Sequence, residues 1–159
     1  MVKAVNHQHG LSLIELLIAI LIAGILVLAA MPFTGSWVHA NHVTESKNTL
    51  TQAWGHAKAM ALRNPKKVQR NSPAAELHIA DDGKIYACVH TCATALVTEK
   101  WTITPRNGVV VKFISPAGSS VFLSNLGHPM HYSGGAYDYV NQVKYEISKE
   151  SEIDEGILY

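Results

Sequence analysis

From Leu16 to Phe33 the chain is apolar without a break, and the one acid near its start is Glu15. Beyond Pro32 the pattern changes. Val43, Leu50, Trp54, Ala57 and Ala61 recur at helical spacing, with Glu45, Lys47, Asn48, Gln52 and Lys58 between them. One helix is therefore predicted from about Ser12 to Arg63, its first half suited to lipid and its second half to packing on a domain. Asn64-Pro65 ends it, because the residue before a proline resists helical angles. Trp54 sits on the apolar stripe, which assigns it to the core rather than to a ligand.

The remaining chain reads as short strands. Glu76 to Ala80 and Lys84 to Val89 flank Asp81-Asp82-Gly83, a hairpin signal. Further strands are predicted at Lys100 to Thr104, Val109 to Ile114, Ser120 to Ser124 and Val140 to Ile147. Gly108, Pro116-Ala117-Gly118, Gly127 and Gly134-Gly135 are read as turns. A long helix followed only by strands predicts an α+β fold, the helix laid across antiparallel sheet.

The apolar run has the length that crosses a bilayer. Lys3, His7 and His9 precede it without any acid, which keeps that end cytoplasmic under the positive-inside tendency. An ordinary secretory signal with a cut near Val27-Leu28-Ala29 is the alternative, but its apolar region spans only about 7–15 residues. Ser12 and Glu15 form the Ser-x-x-Glu pattern of a capping box, and Glu15 also stands at the positive end of the helix dipole. Within hydrocarbon an ionised Glu15 is costly unless it finds a partner, so a docking role is compatible with the capping role. Pro32 removes a helical hydrogen bond, and a bend or local loosening is expected there.

Charge changes this picture little. The formal net charge is +1. Without Lys3 the basic and acidic residues balance at 12 each, which gives no general attraction to nucleic acid. Lys58, Arg63, Lys66, Lys67 and Arg70 cluster at the helix end. They read either as a solvated terminus favoured by the dipole or as a phosphate-binding patch. Glu150, Glu152, Asp154 and Glu155 make the C-terminal stretch acidic and unfavourable to a phosphate backbone. Cys88 and Cys92 complete no zinc pattern; outside the cytoplasm they form a disulfide, the alternative being a thiol pair or redox site. Of the nine histidines, His39 with His42 and His128 with His131 make close pairs, but neither has the matched third ligand a zinc site needs. No nucleophile–base set, Gly-rich phosphate loop or HExxH is present, so no enzyme, cofactor or metal is expected.

Gly10 followed by Leu11-Ser12-Leu13-Ile14-Glu15-Leu16-Leu17 resembles the class III signal of type IV prepilins and type II secretion pseudopilins. The usual pattern there is Gly, Phe, Thr, Leu, Ile, Glu, Leu. This chain matches at Gly10, Leu13, Ile14, Glu15 and Leu16, with Ser12 in place of Thr and Leu11 in place of the commoner Phe. The resemblance implies a leader at 1–10, a membrane and assembly segment at 11–33 and a periplasmic globular domain at 34–159. It implies cleavage by a prepilin peptidase between Gly10 and Leu11, methylation of the Leu11 amine, and residence in a bacterial inner membrane before entry into a pilus or pseudopilus. Glu15 would then pair with the methylated amine of a neighbouring subunit and set register. The phrase Ala53 to Leu62, the cysteine-bearing region and Val121-Phe122-Leu123…Gly127 look like the FimT/FimU/GspH branch of minor pilins and pseudopilins. That branch implies other minor and major pilins and the inner-membrane assembly machinery as partners. Some FimT-like pilins bind DNA, which the basic cluster at Lys58 to Arg70 would serve, although their basic tail motif is absent here.

Overall fold

The structure is a computed structural model that describes residues 12–92, 99–106 and 108–159, apart from the side chains of residues 31–34 and 36. The chain divides into two units, one ending at Trp37 and the other spanning Val38–Tyr159. Helix α1, Leu13–Arg63, contributes to both and its assignment continues through Pro32. In the first unit the window Leu13–Ala30 has mean hydropathy 2.9, with none of it buried against protein. It is long and apolar enough to cross a membrane.

The second unit carries its own core. The helical segment from Val38 ends where the sequence predicts: Asn64 takes a left-handed φ of 41° immediately before Pro65. Its amide side chain grips the loop from both sides, Oδ1 accepting the Val68 N–H at 2.8 Å and Nδ2 donating to the Val68 carbonyl at 3.0 Å. The predicted stripe residues Val43, Leu50, Trp54, Ala57 and Ala61 are all buried, joined by Ala53 and Ser46. Alanines at 53, 57 and 61 leave room for a sheet to approach the helix closely.

Ten strands follow: β1 Pro73–Ile79, β2 Ile85–Val89, β3 Lys100–Ile103, β4 Val110–Ser115, β5 Ala117–Gly118, β6 Ser120–Ser124, β7 Pro129–Ser133, β8 Ala136–Tyr139, β9 Val143–Lys149 and β10 Glu152–Leu158. They form one sheet in the order β3-β2-β1-β6-β7-β8 and another in the order β10-β9-β4-β5, with antiparallel pairing throughout. The fold is α+β and pilin-like in arrangement. The predicted hairpin closes at Asp81-Asp82-Gly83, where Gly83 has φ 78° and Asp82 accepts the backbone N–H of Lys84 at 3.1 Å. The Lys84 ammonium beside Asp82 holds its carboxyl below the usual carboxylate range.

Four strands lie outside the sequence-based set. Ala117–Gly118, read as part of a turn, makes the short edge β5; β7 and β8 form a hairpin around Gly134-Gly135; and the acidic stretch becomes β10. The strand expected from Val140 begins instead at Val143. In β10, Gly156 lies directly opposite the buried Tyr145 of β9, and a Cβ there would overlap the tyrosine ring. Lys47 of α1 reaches Asp154 at 3.0 Å, and the Trp54 indole N–H donates to the Tyr159 carbonyl at 2.6 Å. Bonding to Asp154 raises the Lys47 ammonium above its ordinary value. Strand β10 is thus tied to the helix rather than left as an acidic tail.

Candidate functional site

The start of α1 has the geometry of a closed capping box. The Ser12 N–H donates to Glu15 Oε2 at 2.8 Å, and the Glu15 N–H donates to Ser12 Oγ at 3.3 Å. Two amides that the helix leaves without partners are satisfied by one acid and one hydroxyl. Among the described residues the second oxygen of Glu15 has no donor. From Leu13 through Leu28 the large apolar side chains are all exposed, so the segment presents a lipid-soluble surface with that carboxylate near its beginning. The cleavage and methylation residues Gly10 and Leu11 lie outside the described residues.

Cys88 of β2 and Cys92 are joined by a disulfide. What anchors this loop is a residue the sequence reading passed over. Glu76 of β1 is only 4% exposed and faces away from the helix. It accepts the Cys92 N–H and the Ser120 hydroxyl, each at 2.5 Å. A hydroxyl has one proton, and here Glu76 takes it. The 2.9 Å contact between Ser120 Oγ and His78 Nδ1 is therefore a donation from the imidazole. The signal for this cluster is an acid between Ala75 and Leu77, in a strand whose one other polar residue is His78. Glu76→Leu removes both acceptor oxygens and leaves the part-buried Cys92 N–H without a partner. It is expected to destabilise the second unit by about 1–3 kcal/mol in chemical denaturation.

The basic residues are gathered only in part. Asn125 donates to the Val68 carbonyl at 3.3 Å and the Tyr139 hydroxyl to the Arg70 carbonyl at 2.6 Å, which seats the loop carrying Lys66, Lys67 and Arg70 beside the β6–β7 turn. Those three side chains are exposed. Arg63, however, pairs with Glu99 at 3.5 Å, and the Lys58 ammonium lies 5.7 Å from the centre of the Trp54 ring. The histidine pairs are also drawn apart chemically. His39 faces Glu150 and His42 faces Lys149, while His128 packs edge-on against Tyr139. Among the described residues no three His, Cys, Asp or Glu side chains converge as a metal site would require.

Residues 5–31 match the family pattern described as the prokaryotic N-terminal methylation motif. That span contains Gly10, Leu11 and Glu15 together with the apolar window of α1. No curated protein and no solved structure matches the chain. Over residues 5–31 the chain carries the N-terminal methylation signal of type IV pilin-like prepilins.

Proposed function

We propose that the protein is a minor pilin of FimU/FimT type. A prepilin peptidase cuts it between Gly10 and Leu11 and methylates Leu11. The helix from Leu13 to Ala30 then holds it in the inner membrane with the second unit in the periplasm. From there the inner-membrane assembly machinery builds it, with other minor and major pilins, into the tip or initiation complex of a type IV pilus, supporting biogenesis, adhesion and twitching motility. The observation that carries this reading is the methylation motif at residues 5–31, coincident with an exposed apolar helix that begins at a capped acid. The role is one of assembly, without catalysis or cofactor.

N-terminal sequencing of the mature protein tests it. The chain is expected to begin at N-methyl-Leu11; a start at Met1 or near Ala30 would overturn the reading. A GspH-like pseudopilin of type II secretion shares the same physics. Deletion of the gene separates the two, since loss of pili supports the first and loss of secretion with pili intact supports the second. A DNA-binding competence pilin has less support, because Arg63 and Lys58 are already engaged within the protein.

A further inference from the structure

His39 and His42 stand one helical turn apart on α1, and they meet the last residue of β9 and the first residue of the turn after it. His39 Nδ1 is 3.2 Å from Glu150 Oε2, and His42 Nδ1 is 2.6 Å from Lys149 Nζ. The two contacts demand opposite protonation states. An ammonium only donates, so His42 must offer a lone pair at Nδ1 and be neutral, with its proton on Nε2. A protonated His42 has no acceptor left and sets two cations at hydrogen-bond distance. The other groups facing it are Arg106 from the loop after β3, and Glu45 and His39 from α1 itself. Glu45 is the one anion among them, and it is shared with Arg106 at 3.6 Å. At His39 the chemistry reverses, because protonation turns its contact with Glu150 into an ion pair.

We propose that this pair is a proton-operated latch on the β9–β10 turn, held at neutral pH by His42 on Lys149 and in acid by His39 on Glu150. Glu150 occupies the left-handed region with φ 53°, a conformation a non-glycine residue keeps only when its surroundings hold it. Burial, then the Lys149 and Arg106 charges, lower the His42 imidazole from its ordinary value. The His42 contribution is therefore complete above about pH 6.5 and is lost as pH falls through the lowered folded-state value. The latch stands on contacts within the second unit and does not depend on the filament reading.

The test uses the full chain in detergent micelles, with 15N-labelled histidine and hydrogen exchange of the 148–151 amides between pH 7.5 and 5. His42 Nδ1 is expected to be unprotonated at pH 7.5 and to gain its proton below the ordinary imidazole range. His39→Asn is expected to keep neutral-pH protection and lose it about threefold in acid, the scale of an exposed ion pair. Adding His42→Asn, whose amide oxygen still accepts from Lys149 but does not titrate, is expected to abolish that acid loss. A proton on His42 Nδ1 at pH 7.5, a flat His39→Asn profile, or an acid loss surviving in the double variant would each overturn the proposal.

Discussion

Glu15→Ala is expected to leave the protein cleaved, methylated and membrane-inserted, yet absent from sheared filaments. Within one chain the substitution opens only half of the capping box, since the Ser12 hydroxyl still accepts the N–H of residue 15. Membrane insertion does not suffer from that. The apolar window from Leu13 to Ala30 is untouched, and removing an acid makes the segment more soluble in hydrocarbon. Assembly is a different matter. Where helices bundle in a low-dielectric surrounding, a carboxylate and an amine that meet attract strongly, and removing one leaves the other charge buried and unpaired. The Leu11 amine would be left so. Glu15→Gln separates the two roles, because an amide oxygen still accepts the Ser12 N–H but carries no charge. Immunoblots of membrane and sheared fractions should show both variants in membranes and neither in filaments. Filaments containing Glu15→Gln at the natural level would assign the residue to capping alone.

The parts of this protein that were legible in its sequence are those governed by a single local rule. The apolar run that begins at Leu16 is long enough to cross a membrane, and the matched motif covers it to residue 31. The stripe from Val43 to Ala61 has period 3.6, and all its members are buried. Asn64-Pro65 ends the helix through steric exclusion that needs no tertiary context. What stayed hidden depends on partners distant in sequence. Strand β10 reads as an acidic stretch because only Leu158 of it is buried, and what seats it is Gly156, whose missing Cβ receives the Tyr145 ring, and Asp154, whose charge meets Lys47. Strand β7 opens on Pro129 and places the fully buried Met130 among histidines and tyrosines, with no clean alternation. Nothing local to Glu76 marks it as buried. Only the pairing of β1 with β2 and β6 brings Cys88 and Phe122 opposite it and puts Ser120 within reach. His39 and His42, which lack a third ligand in the sequence, meet different charged partners that no local pattern announces.

Leu77→Ala is expected to cost about 2–5 kcal/mol, the largest single loss of stability that an apolar truncation brings to such a domain. Leu77 is fully buried at the middle of β1, level with Ala87 of β2 and Val121 of β6, both also fully buried. Ala87 has no side chain to extend into the vacated space, and Val121 is branched at Cβ with few alternative rotamers. The cavity therefore stays open and the loss falls toward the upper part of the range, set against a total of about 5–15 kcal/mol for a domain. The midpoint of urea unfolding should fall while the slope stays constant, because the surface exposed on unfolding hardly changes. Val110→Ala serves as the control: that side chain is 49% exposed on the other sheet, and its truncation should shift stability by less than about 0.5 kcal/mol. A Leu77→Ala loss below about 1 kcal/mol would mean that β1 is not the centre of the core. The two substitutions thus fail by separate physical routes. Leu77→Ala lowers the amount of folded protein available for assembly, whereas Glu15→Ala leaves that amount unchanged and removes only the assembly step.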